Sequence, residues 1–272
     1  MAPPQRPSKL SAPAVRARKG GGEPLVMVTA YDAPTARAVS EAGVDVILVG
    51  DSVGMVVLGY DDTLQVTVDD MVRHTAAVSR AQPWQLVVAD MPWMSYHSGA
   101  AGAVGNAARL VRAGAGAVKL EGGTKRLEVL RSILDAEIPV MGHLGLTPQS
   151  LHAMGGYRVQ GRARHDAKLL LEDAIAIAEA GCFAIVLEGV PDGLGAEITK
   201  TVPVPTFGIG AGPSCDGQVL VFHDLVGLSG TQVPRFVRRY ADLGSQATEA
   251  VSRWADDVRR SRFPSPAETY GN

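Results

Sequence analysis

Residues 41–51 read Glu41-Ala-Gly-Val-Asp-Val-Ile-Leu-Val-Gly-Asp51. The order is a helix end, a glycine suited to the left-handed position just past a helix, a short β-branched run, and a closing acid. The same order recurs in Arg112-Ala-Gly-Ala-Gly-Ala-Val-Lys-Leu-Glu121 and in Glu179-Ala-Gly-Cys-Phe-Ala-Ile-Val-Leu-Glu188. A unit of helix, glycine, strand and acid used repeatedly points to helices alternating with parallel strands.

Working outward, apolar runs of strand length fall at Leu25–Ala30, Asp45–Val49, Leu86–Ala89, Ala117–Leu120, Pro139–Gly142, Ala184–Leu187, Pro205–Ile209 and Val219–His223. Amphipathic stretches lie between most of them: Pro34–Glu41, Val68–Ala81, Ala103–Arg112, Leu127–Asp135 and Ala167–Ala180. Thr67-Val-Asp-Asp70 has the form of a capping box opening the second of these. Eight strands with intervening helices predict an α/β protein built as one closed (β/α)8 TIM barrel over residues 23–260, with a C-terminal helix near Val233–Val258 and a tail over 261–272. An open doubly wound sheet would more often show five or six strands and an early phosphate fingerprint. Gly208-Ile-Gly-Ala-Gly212 lacks the GxGxxG spacing and reads as a turn.

The chain of 272 residues suits one such domain, and its net charge of -2 gives no pull toward nucleic acid or membrane. Cys182 and Cys215 are too few for a disulfide framework or a cysteine zinc site, which fits a soluble cytoplasmic protein. Residues 1–22 are basic, rich in Pro and Gly, and free of acids, so a disordered tail is expected there. They lack the apolar core of a secretory signal.

Asp51, Glu121 and Glu188 close strands, and Asp90 closes a fourth in Leu86-Val-Val-Ala-Asp90. In a parallel barrel those ends share the face on which active sites are built. Hard carboxylate oxygens gathered there suit Mg2+, whereas the histidines offer no zinc motif. The plainer alternative is that each acid caps a loop or pairs with a nearby arginine. Lys119 stands two residues before Glu121, so both face into the barrel while Val118 and Leu120 face the helices. It either pairs with Glu121, holds a substrate carboxylate, or forms a Schiff base. His143 ends the fifth strand and joins the candidates; His74, His152, His165 and His223 are read as structural. Two long connections, Ser52 to Thr67 and Leu144 to Arg164, lie on the same side and have the length of lids; Arg158 and Arg162 in the second either meet an anionic tail or face solvent.

Several blocks carry a resemblance. Val28-Thr-Ala-Tyr-Asp32, Val49-Gly-Asp-Ser-Val-Gly54, Ala89-Asp-Met-Pro92, Val118-Lys-Leu-Glu-Gly-Gly123, Gly142-His-Leu-Gly-Leu-Thr-Pro-Gln-Ser150, Gly155-Gly-Tyr-Arg-Val-Gln-Gly161 and Leu187-Glu-Gly-Val-Pro191 resemble the ketopantoate hydroxymethyltransferase family, in order from Leu25 to Leu228. The resemblance implies transfer of a hydroxymethyl group from 5,10-methylene-tetrahydrofolate to 2-oxoisovalerate, aided by Mg2+. It implies that Asp51 and Asp90 bind the ion with Glu121 in support, that Ser52 and Lys119 hold the oxoacid carboxylate, and that Glu188 is the base with His143 nearby. A homodecamer is implied as well. Three rival readings stay open at this point: a Mg2+-dependent 2-oxoacid lyase or mutase of the isocitrate lyase and phosphoenolpyruvate mutase type, a Schiff-base aldolase using Lys119, and a non-catalytic barrel binding a small anion.

Overall fold

A computed structural model describes residues 8–230 and 234–271. Eight parallel strands, β1 (Leu25–Thr29), β2 (Val46–Val49), β3 (Leu86–Asp90), β4 (Ala117–Glu121), β5 (Val140–Gly145), β6 (Ala184–Glu188), β7 (Thr206–Ile209) and β8 (Gly217–Leu220), close in chain order into a (β/α)8 barrel. The expected TIM-barrel fold is therefore observed. The repeated glycine behaves as its position demands: Gly43, Gly114 and Gly181 have φ of +80°, +109° and +115°, a region in which a side chain strains the backbone. Thr67 and Asp70 form the reciprocal capping box that opens the helix Val68–Arg80.

Alternate residues of the strands point inward and fill the barrel with Met27, Val46, Leu48, Leu86, Val88, Ala117, Met141, Ala184, Val186 and Phe207. The same alternation, carried one step further toward the strand ends, brings Asp90, Lys119, Glu121, His143 and Glu188 inward above that apolar plug. Register reinforces it: Asp90 lies beside Lys119, Glu121 beside His143, and Gly145 beside Glu188.

The expectation of disorder over residues 1–22 is corrected for residues 8–22; residues 1–7 lie outside the described residues. Ser11 caps a short helix, Ala12–Arg16, with Pro in its first turn. Ala12 and Val15 are buried against the inward strand residues, so the segment plugs the N-terminal end of the barrel. Lys19 then donates to the Thr199 carbonyl and, at 2.8 Å, to Asp216. The basic composition that suggested a tail supplies this latch.

The C-terminal boundary also differs from the expected 260. One compact unit ends at Val221 and a second begins at Phe222. The last strand sits at Gly217–Leu220 rather than Val219–His223, because Gly217 lets β8 approach β1 where a Cβ would meet the Leu25 carbonyl at 2.4 Å. In the second unit the expected helix runs over Leu243–Arg259, and residue 233 lies outside the described residues. The expected tail folds back on that helix: Phe263 packs edge-on against Trp254, and Arg262 pairs with Asp257. Residue 272 is likewise outside the described residues. No helix among the described residues is long and apolar enough to cross a membrane.

Candidate active site

Asp90, Lys119, Glu121 and His143 are buried inside the C-terminal mouth, with Asp51 in the turn after β2. The Asp51 amide donates to Asp90 Oδ2 at 3.0 Å, which ties the ends of β2 and β3 together. Lys119 Nζ lies 3.0 Å from Asp90 Oδ1 and 3.2 Å from His143 Nδ1. Its ion-pair partner is thus Asp90 on the adjacent strand, not Glu121 on its own. His143 stands between two acids, with Nδ1 3.3 Å from Glu121 Oε1 and Nε2 3.3 Å from Glu188 Oε2. Ser52 is held by Tyr31, hydroxyl to hydroxyl, at 2.8 Å. The structure brings all seven candidate residues, Asp51, Ser52, Asp90, Lys119, Glu121, His143 and Glu188, to one end of the barrel.

The electrostatics follow from packing several like charges in a dry space. Burial, then the neighbouring Asp90 and Glu121 carboxylates, push the Asp51 carboxyl well above the ordinary range. Burial works against the Lys119 charge, but Asp90, Glu121 and Asp51 outweigh it and raise the ammonium above its usual value. For His143, burial and the Lys119 charge favour the neutral ring, yet Glu121 and Glu188 prevail and raise it to about 9. With Lys119 and His143 both charged, two cations stand among the four acids Asp51, Asp90, Glu121 and Glu188. Glu188 differs from its neighbours: its side chain is 17% exposed, against 4% for Asp90 and 3% for Glu121. It is the carboxylate a reacting molecule in the mouth can reach.

Asp90 Oδ1 has the ammonium close by but no aligned hydrogen bond, so this buried oxygen keeps unused accepting capacity. Gly50 leaves space beside it, since a Cβ there would stand 2.8 Å from Ser52 Oγ and 3.5 Å from Asp90 Oδ2. Among the described residues no three His, Cys, Asp or Glu side chains form a ready-made metal cage. Mg2+ asks for less, one or two carboxylates with the rest of its shell left to water and substrate. Asp51 and Asp90 fit that requirement.

Three polar residues escaped the reading of the sequence. Gln149 donates through Nε2 to Asp51 Oδ2 at 2.8 Å and through its backbone amide to Glu121 Oε2 at 3.0 Å. Tyr96 donates to Gln149 Oε1 at 2.6 Å and accepts from the Glu121 amide at 3.2 Å. Tyr31 holds Ser52. Gln149 lies inside a block that carried the resemblance, which was its only signal. The two long connections also meet, with the Tyr157 hydroxyl 3.7 Å from Met55 Sδ, and Gln160 donates to the Gly189 carbonyl beside Glu188.

A (β/α)8 barrel whose strand ends gather buried carboxylates around one lysine has the arrangement of the barrel enzymes, with reactive groups at the C-terminal mouth. Solved structures with this fold include 2,3-dimethylmalate lyase, a phosphoenolpyruvate mutase/isocitrate lyase superfamily member, at 18% identity and TM-score 0.61, covering 97% of this chain and 93% of that one. Another is phosphonopyruvate hydrolase in complex with oxalate and Mg2+, at 14% identity and TM-score 0.61, covering 95% and 93%. At such identities the likeness is one of fold. Sequence similarity is more specific: residues 9–266 match the ketopantoate hydroxymethyltransferase family, and the chain belongs to it. Its relatives include the 3-methyl-2-oxobutanoate hydroxymethyltransferases of Pyrobaculum islandicum, 56% identical over 90% of this chain and 94% of that one, and of Moorella thermoacetica, 52% identical over 97% and 98%. The protein is a hydroxymethyltransferase of the pantothenate pathway.

Proposed function

We propose that this enzyme converts 3-methyl-2-oxobutanoate, 5,10-methylene-tetrahydrofolate and water to ketopantoate and tetrahydrofolate, with Mg2+ as cofactor. The observation that carries the reading is the buried group Asp51, Asp90, Lys119, Glu121 and His143 below a reachable Glu188, in a chain of this family. Asp51 and Asp90 hold the ion, with Glu121 supporting it. When bound, Mg2+ supplies Lewis-acid polarisation of the 2-oxo group.

The protein's own groups do the rest. Lys119 and Ser52 fix the oxoacid carboxylate, and the Tyr31 hydroxyl orients Ser52. Glu188 takes the proton from C3. His143, held charged between Glu121 and Glu188, stands 3.3 Å from the base and orients it at the mouth. C3 then bonds to the methylene carbon of the folate as both C–N bonds of that bridge break; water supplies the hydroxyl oxygen and one proton, and its other proton and the one taken from C3 end on N5 and N10 of the released tetrahydrofolate. The raised protonation of Lys119 opposes the Schiff-base alternative, because an ammonium has no lone pair with which to attack a carbonyl.

Homodecameric assembly and residence in the cytoplasm, both implied by the family resemblance, belong to the same reading. Mass-spectrometric detection of ketopantoate from the two substrates, with and without Mg2+, tests it. Formation of ketopantoate only with the metal is expected; cleavage of the oxoacid without one-carbon transfer would point to a lyase instead.

A further inference from the structure

We infer that Gln149 is a positioning residue for the cation site, setting the direction of the Asp51 carboxylate through its side chain and of Glu121 through its backbone. The inference rests on the metal reading above. Gln149 sits in the turn Pro148–Ser150 just past β5 and is 6% exposed. Its two side-chain N–H groups are both committed, one to Asp51 Oδ2 at 2.8 Å and one to the Met91 carbonyl at 3.0 Å. Its carbonyl oxygen accepts from Tyr96, and its own amide donates to Glu121 Oε2.

Each of these bonds narrows what the residue can be. The amide cannot turn over, because a flip would set its oxygen against the Asp51 carboxylate and the Met91 carbonyl. Tyr96, bonded in turn to the Glu121 amide, locks the same orientation from the other side. The amide donates without bringing a charge, so it steers Asp51 without offsetting it, whereas Lys119 pairs with Asp90 as a cation. A single side chain therefore joins the ends of β2 and β3 to the turn after β5, and its backbone adds β4. Partners of this kind around ligating carboxylates typically change metal affinity by about 10- to 100-fold when removed.

The test is a titration of metal-free protein with Mn2+, followed by the electron paramagnetic resonance signal of the free ion, without substrate. Gln149→Met keeps the length and burial of the side chain but removes its hydrogen bonds. It is expected to weaken Mn2+ binding by about 10- to 100-fold. Tyr96→Phe, which leaves the Gln149 side chain its bonds to Asp51 and Met91, should weaken it less. Urea unfolding of the metal-free proteins reports separately on folding. Unchanged Mn2+ affinity in folded Gln149→Met overturns the inference; should that variant not fold, unchanged affinity in Tyr96→Phe does so. A wild-type protein that binds no Mn2+ refutes the metal reading itself, whereas binding that is lost in Asp51→Asn yet intact in Gln149→Met refutes the role of Gln149 alone.

Discussion

His143 Nε2 lies 3.3 Å from Glu188 Oε2, so the carboxylate that ends β6 faces a charged imidazole on β5 as well as the open mouth. A carboxylate in that setting has one side against a cation and 17% of its side chain open to the mouth. Replacing Glu188 by Gln keeps size and removes the basic oxygen. Exchange of the C3 proton of 3-methyl-2-oxobutanoate with solvent deuterium, measured without folate, and full turnover should fall together by about 10²- to 10⁴-fold. Exchange at the wild-type rate in Glu188→Gln would assign the base to another group, with His143 next in line.

His143 also makes stability depend on pH. Its folded value, raised to about 9, stands above the roughly 6.5 of an unfolded chain. The charged form is favoured by folding, so its contribution is complete below about 6.5 and is lost as pH rises through the folded value. In chelator-treated protein, the stability gap between wild type and His143→Gln should therefore narrow between pH 6 and pH 10, by an amount on the order of a few kcal/mol at most. Urea unfolding at both pH values measures it. A gap that widens with pH would show that the ring is neutral in the folded state.

Asp51→Asn and Asp90→Asn should each weaken Mg2+ binding and suppress turnover, and chelation should silence the wild type reversibly. Calorimetric titration with Mg2+ beside the activity assay checks both. Full activity in metal-free buffer would rule out the assigned role of these acids.

Lys119→Met removes the cation offered to the oxoacid carboxylate and leaves Asp90 without its partner at 3.0 Å. The apparent KM for the oxoacid should rise more than that for the folate. Borohydride trapping of substrate on Lys119 in the wild type would instead revive the aldolase reading.

Gly145 has φ +91°, and a Cβ there would stand 2.2 Å from the Glu188 carbonyl oxygen. Gly145→Ala should lower stability by about 1–2 kcal/mol from the left-handed backbone alone. The overlap should also shift Glu188 and reduce kcat, since a small misplacement of a catalytic group is costly. Thermal unfolding and steady-state kinetics measure the two effects; a variant matching wild type in both would mean that β5 does not constrain the base.

The barrel was legible because a strand repeats every two residues and a helix ends on a glycine, and both signals are local. The strand-end acids were legible for the same reason: once the strands are placed, Asp51, Asp90, Glu121 and Glu188 fall on one rim. Lys119 was placed correctly inward, but its partner depended on register between neighbouring strands, which periodicity within β4 does not contain. Gln149 and Tyr96 lie in connections, where position is set by closure of the whole barrel. In the segment 8–22, Pro, Gly and basic residues have the composition of a solvated tail, and the cavity that receives Ala12 and Val15 exists only once the barrel strands are assembled.

That segment has a consequence for how the chain is made. Lys19 reaches Thr199 and Asp216, which are 180 and 197 residues further along. During synthesis Lys19 emerges well before these partners, which come near the end of the barrel. Contacts spanning so much of the chain raise contact order, which slows folding. The latch of Lys19 onto Asp216 therefore closes only after the chain up to the start of β8 has been made.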